Sequence, residues 1–496
     1  MIKRTKITTL AIAFTATLCT WAETTTRIRP ITLDEAITLA RVQSVNAAVA
    51  LNELKTAYWE YRTFRANLLP EVNFSSTLPS YSKSYNSYQQ SDGSYTFVRN
   101  NYLQMSGTLS IDQNIWITGG TLSINTSLDF MKQLGGTKDE RYMSVPLALT
   151  LSQPIFGVNT FKWNRRIEPV RYAEAKANFL SATEDVTLTT IGHFFNLLLA
   201  KENVGISRQN LENAEKLYEV AKAKRKMGQI SENDVLQLKL NMLNAQAALT
   251  DNESTLKSAM FGLRSFLSLS EDEELEPVLP EKLPSILVDY QDALEKALAN
   301  NAFAHNIRRR QLEADYNVAK AKGNLRQITL FAQVGFTGTG QDMQGAYHPL
   351  KDNQVIEAGI RVPILDWGKR RGQVKVAQSN REVVQSRLRQ EKINFNQSLF
   401  ILVEQFNNQR TQLEIANEAD RIAQQRYQTN VETFMIGRIS TLDLNDAQVS
   451  KDQARQNHIS ELYQYWSFYY QLRSLTLWDF EKNTNIDTDF EAIIKK

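Results

Sequence analysis

Ser231-Glu232-Asn233-Asp234 and Ser440-Thr441-Leu442-Asp443 are two short segments whose residue types and spacing commit them to a definite job. In each, the serine hydroxyl accepts from the aspartate N–H while the carboxylate reaches back to the serine N–H, a capping box with Asp in place of the usual Glu. Each box follows a glycine, Gly228 in Met227-Gly228-Gln229-Ile230 and Gly437 in Ile436-Gly437-Arg438-Ile439, placed as the left-handed residue that ends a helix. Both stretches therefore read as helix, turn, helix, and capping alone explains Asp234 and Asp443. Asp446 is left over. It lies three residues beyond Asp443 on the same helical face, where capping does not need it, and the matching position in the first segment is Gln237. Such a carboxylate is either a solvated surface group or part of a charged site.

No reaction centre is assembled elsewhere. His193, His305, His348 and His458 are scattered without ligand spacing, so satisfied or solvated histidines explain them better than zinc does. Gly335, Gly338, Gly340 and Gly345 lie in and after an alternating segment with no helix opening behind them to hold a phosphate. No serine or cysteine sits in a nucleophile motif. Neither catalysis nor a cofactor or metal is expected.

The elements that carry the two turns are unusually long. Gly157 to Gly228 is broken only by Pro169, Gly192 and Gly205, and Gly368 to Gly437 only by Gly372. At ~1.5 Å per residue, each stretch extends to about 100 Å as a helix, far beyond a globular core. The second carries a stripe at Leu399, Leu402, Phe406, Leu413, Ala416, Ala419, Ala423, Tyr427, Val431 and Phe434. That is a narrow coiled-coil seam with polar residues between, suited to a solvated stalk or to a wall of helices with water on both sides. Upstream of each long stretch an Ala-rich amphipathic helix is expected, from Leu33 to Leu69-Pro70 and from Tyr290 to about Arg326. The chain thus states one plan twice, which points to an assembly built by symmetry.

Lys3, Arg4 and Lys6 precede an apolar run from Ile7 to Leu18, and Thr20-Trp21-Ala22 offers a cleavage site, so residues 1–22 read as a secretory signal peptide. The only cysteine, Cys19, precedes that cut; lipidation there is an alternative, opposed by the bulky Leu18. Removing the three basic residues takes the formal charge from +3 to zero, which excludes a general nucleic-acid binder. No mature segment has the ~18 consecutive apolar residues of a membrane helix, so an exported chain that crosses a membrane must do so as a closed β-barrel.

Alternating segments supply the strands: near Val72–Leu78, Leu103–Ile111, Leu122–Phe130, Val145–Ile155, Leu330–Thr337 and Val355–Ile364. One face is apolar over about the ten residues a membrane strand needs. A soluble sandwich would alternate in the same way, but strands between long helices have no second sheet to cover them. Long polar stretches, Tyr81–Asn101, Lys132–Arg141 and Gly338–Asn353, are expected as loops alternating with the short Thr118-Gly119-Gly120 turn. Trp116, Trp163, Trp367 and Tyr102 suit an interfacial aromatic belt or ordinary packing. Six strands cannot close a barrel alone, so several subunits must share one.

From Ile31 to about Leu477 the chain resembles the TolC-like outer-membrane efflux proteins. The resemblance rests on the doubled plan, on the glycine turns, and on the strand-to-helix passages Gln153-Pro154-Ile155-Phe156-Gly157 and Val362-Pro363-Ile364-Leu365-Asp366-Trp367-Gly368. It implies an α+β membrane protein: a trimeric outer-membrane β-barrel continued by a long periplasmic α-helical barrel, built from an internal duplication. On that plan residues 23–270 and 290–477 are the two repeats, 271–289 an acidic, proline-broken connector in the equatorial region, and 478–496 a tail. It also implies a passive outer-membrane duct working with a periplasmic adaptor and an inner-membrane pump. Asp443 and Asp446 from three subunits would form acidic rings at the tunnel entrance, and the turns at Gly228, Ser231, Asp234, Gly437 and Ser440 would dock the adaptor. The family usually supplies two strands per repeat and here the first holds four, so the extra hairpin either enlarges the barrel or lies outside it. The alternative to a duct is an exported coiled-coil structural or adhesive protein.

Overall fold

The computed structural model describes residues 27–135, 139–270, 273–280, 283–284, 286–348, 354–361, 364–436 and 438–495. The signal-peptide reading with Cys19, together with Pro363 and Gly437, lies outside them.

In chain order the elements are β1 (Arg27–Ile31), α1 (Leu33–Gln43), α2 (Val45–Ala66), β2 (Glu71–Gln89), β3 (Tyr95–Ile115), β4 (Gly120–Gln133), β5 (Glu140–Ile155), α3 (Thr160–Lys226) and α4 (Glu232–Phe266). Then follow β6 (Glu273–Pro277), α5 (Tyr290–Asn300), α6 (Ala302–Arg326), β7 (Ile328–Gly340), α7 (Met343–Tyr347), β8 (Gln354–Arg361), α8 (Lys369–Met435), α9 (Thr441–Thr476), β9 (Trp478–Asp479), β10 (Thr484–Asn485) and α10 (Phe490–Lys495). Among the described residues no helix is long and apolar enough to cross a membrane.

The chain divides into two compact units, Met1–Ala40 with Gly192–Lys282, and Arg41–Ile191 with Leu283–Lys496. In the first unit β1 pairs in parallel with β6, so part of the segment expected to be an irregular connector is a strand. Arg29 ties this pair, donating to Glu273 at 3.2 Å and to Glu35 at 2.5 Å. Ser207 and Asn252 link α3 to α4 at 2.7 Å.

In the second unit the six expected segments form one antiparallel sheet in the order β2-β3-β4-β5-β7-β8. The extra hairpin is part of that sheet. Its register separates two kinds of row. Val72, Ile111, Ile124, Leu149, Val334 and Ile356 stand side by side across all six strands. One residue along, on the opposite face, the row reads Glu71, Asp112, Ser123, Thr150, Gln333 and Glu357. Because side chains alternate strictly along a strand, a one-residue slip would exchange the two faces, and this contrast is what fixes the register. The apolar row is not covered within the chain: Val72 is 63% and Ile356 72% exposed.

The strands outrun the sequence reading. Tyr81–Asn101, expected as a loop, is the end of a long hairpin with Tyr81 paired to Leu103 and Gln89 to Tyr95. Its Ser, Tyr and Asn residues lack an apolar face yet still fit a pleated ladder. The stretch after Gly338 is also not plain loop, because α7 folds back onto β5 and β7. The Ser144 hydroxyl donates to the Ala346 carbonyl at 2.5 Å, and a Cβ on Gly338 would collide with that carbonyl.

The amphipathic helices expected as single rods are each broken once by a buried polar cap. Ser44 accepts from Ala47 N–H at 3.2 Å to restart the helix as α2, and Asn301 accepts from Phe303 N–H at 2.8 Å to restart it as α6. Beyond them the second unit's core is aromatic, with the Phe406 ring 5.5 Å from Tyr465 and 6.1 Å from Tyr469.

The seam of α8 follows the expected stripe at Leu399, Leu402, Phe406, Leu413 and Tyr427, then departs from it. Ala419 is exposed and Asp420 is buried instead, as is Gln409. Leu399, Phe406, Leu413, Asp420 and Tyr427 are spaced seven apart, so the seam keeps a strict heptad on which Asp420 falls and Ala419 does not.

Candidate functional site

The first helix turn is built as its residue types require, and both capping boxes form. Gly228 sits at φ 72° with open space where a Cβ would project, so its backbone rather than its surroundings calls for glycine. Gln229 N–H reaches the Lys224 carbonyl at 3.0 Å, and Arg438 N–H makes the same kind of closure to Thr433 at 3.1 Å in the second turn. Ser231 and Asp234 form the full reciprocal box at 3.1 Å in each direction. Ser440 and Asp443 repeat it at 3.1 and 3.2 Å.

Hydrogen bonds from the Ser440 hydroxyl and N–H, with the nearby Arg426 guanidinium, hold the Asp443 carboxyl below the usual aspartate range. It therefore stays ionised at neutral pH while committed to its cap. Asp446 is paired too. Arg426 on α8 donates to its carboxylate at 2.6 Å, and Asn430 donates to the Asp443 carbonyl at 3.3 Å. The two aspartates are thus brought to one end of the α8–α9 hairpin together with an arginine that sequence reasoning missed. The signal was available: in an antiparallel hairpin, residues equal distances before and after the turn face each other, and Arg426 stands as far before residue 436 as Asp446 stands after it.

Further up the same hairpin the rungs are also polar. Lys451 lies 4.7 Å from the Tyr427 ring, Arg455 pairs with Asp420 at 3.2 Å, and Gln409 donates to the Glu461 carbonyl at 3.0 Å. Burial, and then the Arg455 charge, push His458 below its usual value in spite of Asp420 beside it.

The strand-to-helix passages share a feature that residue types hide. Phe156 (φ 60°) and Trp367 (φ 55°) both adopt the left-handed conformation, and both are exposed, Trp367 to 90%. A bulky residue there costs of order 1–3 kcal/mol and is kept only where its surroundings demand it. Pro154 pairs with Thr329 just before the first passage, and Gly157 packs against Pro154. Gly368 (φ 84°) opens α8 with no side chain of its own, so Asp366 supplies the cap, accepting from Gly368 and Arg370 N–H at 3.1 and 3.3 Å. At the start of α3 the cap is Asn159, which accepts from Lys162 N–H and donates to the Trp116 and Ile117 carbonyls, each at 2.9 Å. That amide ties the turn of the extra hairpin to the helix opening.

These arrangements position helix ends, charge and an apolar sheet face, and they contain no nucleophile with its base. Comparison with curated proteins gives no match. Among solved structures, the fold matches the Campylobacter jejuni CmeC outer membrane channel with a TM-score of 0.66 at 16% identity, over 93% of this chain and 88% of that one. The outer-membrane channel OprN matches at 0.65 and 13%, over 90% and 89%. The outer membrane protein VceC of Vibrio cholerae matches at 0.62 and 14%, over 92% and 97%. The family model for outer membrane efflux protein matches residues 36–268 and 290–476, nearly all of both halves. The chain belongs to the outer membrane efflux protein family, the TolC-like channels.

Proposed function

We propose that the protein is the outer-membrane duct of a tripartite efflux or type I secretion system, conducting cargo passively from the periplasm or an inner-membrane pump to the exterior. The carrying observation is the pair of adjacent rows across the six strands, one wholly apolar and uncovered, the other polar. In a bilayer the apolar row meets lipid and the polar row faces water, the alternation of an outer-membrane barrel. Among the described residues the sheet ends on β2 and β8, which do not pair with each other. Unpaired edges cannot persist in lipid, so copies must join edge to edge, and three copies close the barrel, as the resemblance implies. Residues 23–270 and 290–477 are then duplicated repeats, joined by 271–289 and followed by 478–496, and the long helices stand in the periplasm.

Asp443 and Asp446 are assigned to acidic rings at the tunnel entrance, with Arg426 as a local counter-charge. The turns at Gly228, Ser231, Asp234, Gly437 and Ser440 are assigned to adaptor docking, and Pro154, Gly157, Pro363 and Gly368 to the change from strand to helix. Replacing Gly228 with tryptophan should abolish co-purification with the adaptor while the oligomer persists. Loss of the oligomer would make Gly228 a folding residue only.

The reading as a whole is tested by purification from the outer-membrane fraction and reconstitution in a planar bilayer. A heat-labile oligomer with discrete single-channel conductance is expected. A water-soluble monomer without conductance would instead favour an exported coiled-coil stalk.

A further inference from the structure

We propose a binding site for the phosphate headgroup of an anionic glycerophospholipid at the junction of sheet and helices, in a cleft of about 840 Å³ between the start of α3 and the end of α6. The proposal rests on the barrel reading above, which places this junction at the periplasmic leaflet.

Lys162, Arg166, Lys322 and Arg326 all line the cleft and all are exposed. None forms a salt bridge among the described residues, and no carboxylate lines the cleft. On the same helices Arg171 pairs with Glu168 and Glu313, and Arg309 with Glu174 and Glu313, whereas in the cleft Arg166 leans over the Trp163 ring at 5.8 Å. Arg326 in the last turn of α6 also offsets the negative end of that helix, but this accounts for one charge and not four. Four like charges around one cleft repel each other unless an anion sits among them.

The apolar part of the wall fits the rest of a lipid. Phe156 and Trp163 line the same cleft, and Phe156 is 71% exposed in its left-handed conformation. Around the junction Arg165 stacks over Trp116 at 4.0 Å, and Ile364 and Trp367 are 95% and 90% exposed. Aromatic residues beside cations at the foot of an apolar sheet face are the composition of a membrane interface, where rings sit at headgroup level and basic residues reach the phosphates. The cleft wall is close-packed, since a Cβ on Gly323 would come within 2.6 Å of the Val158 nitrogen.

The test uses the intact detergent-solubilised oligomer, stripped of lipid and titrated with phosphatidylglycerol or phosphatidylcholine under native mass spectrometry. One phosphatidylglycerol per subunit should be retained, with a preference over phosphatidylcholine of at least about tenfold given roughly one favourable increment per cation. The K162Q/R166Q/K322Q/R326Q variant should keep its oligomer and lose the preference, whereas K322R/R326K should retain it. Equal retention of both lipids by the unmodified protein, or an unchanged preference in the glutamine variant, overturns the site. Displacement of the lipid by millimolar inorganic phosphate would assign the cleft to the free anion and overturn the lipid as its source. An intact membrane oligomer that shows no preference sinks this site alone, whereas a chain that never enters the membrane fraction sinks the duct and the site with it.

Discussion

Glu184 and Asp446 each accept a hydrogen bond from arginine on another helix, in opposite surroundings. Glu184 is 1% exposed and bonds Arg41 at 2.7 Å and Arg473 at 3.1 Å; Arg473 pairs on with Asp479, which accepts from the Tyr469 hydroxyl at 3.0 Å. Burial works against the Arg473 charge, but Glu184, Tyr469 and Asp479 outweigh it and hold its pKa above the usual value. The Arg426–Asp446 pair has the same chemistry at 2.6 Å with side chains 50% and 63% exposed. Water and salt can replace either partner there at little cost, whereas neither can reach Glu184. One cluster fixes how α3 and α9 meet. The other joins α8 to α9 through a pair that solvent reaches.

Breaking the buried cluster should have the largest effect. Glu184→Ala leaves Arg473 and Arg41 without their shared carboxylate and should cost about 3–5 kcal/mol, seen as loss of the oligomer or a large fall in Tm. A change in Tm no greater than that of an exposed pair would mean that solvent reaches Glu184, and the contrast would fail.

The two capping boxes come next and sharpen the comparison, because their geometry is nearly the same. Ser231→Ala and Ser440→Ala should each cost about 1 kcal/mol, read as lost hydrogen-exchange protection in the first turn of α4 and of α9. Acid separates Asp443 from an ordinary aspartate. Its folded pKa lies below the ordinary aspartate value, so its contribution is complete above that value and is lost only as pH falls through the lower folded one. Protection in the first turn of α9 should therefore survive to more acid conditions than an uncapped aspartate would allow. Loss of protection above pH 4 would contradict this.

How much of this was legible follows from what each element depends on. Strand alternation, long helices and capping boxes are set by residues a few positions apart, so the six strands and both capping boxes were readable. The breaks at Ser44 and Asn301 were not, since one short polar residue inside an Ala-rich pattern looks like a solvated helix face until burial shows it to be a cap. The positive φ of Phe156 and Trp367 was equally hidden, because aromatic residues rarely adopt it. Burial of Asp420 in place of Ala419 was hidden because the strict heptad position carries a charge while the apolar residue stands next to it, and the partner of Asp446 is a distant polar residue that only the hairpin geometry points to.

The smallest stability effect and the most telling functional one belong to the exposed pair. Asp446→Asn and Arg426→Gln should each change stability by no more than about 1 kcal/mol, yet shift the ion selectivity of the reconstituted channel in opposite directions. Removing the carboxylate lowers cation selectivity, and removing the arginine raises it by freeing Asp446 to face the lumen. If both substitutions instead raise conductance alike, the bond between α8 and α9 matters more than the charge it hides, and the pair is a tie that holds the hairpin closed. If neither changes the current, Asp446 is a solvated surface residue and the acidic ring falls to Asp443 alone.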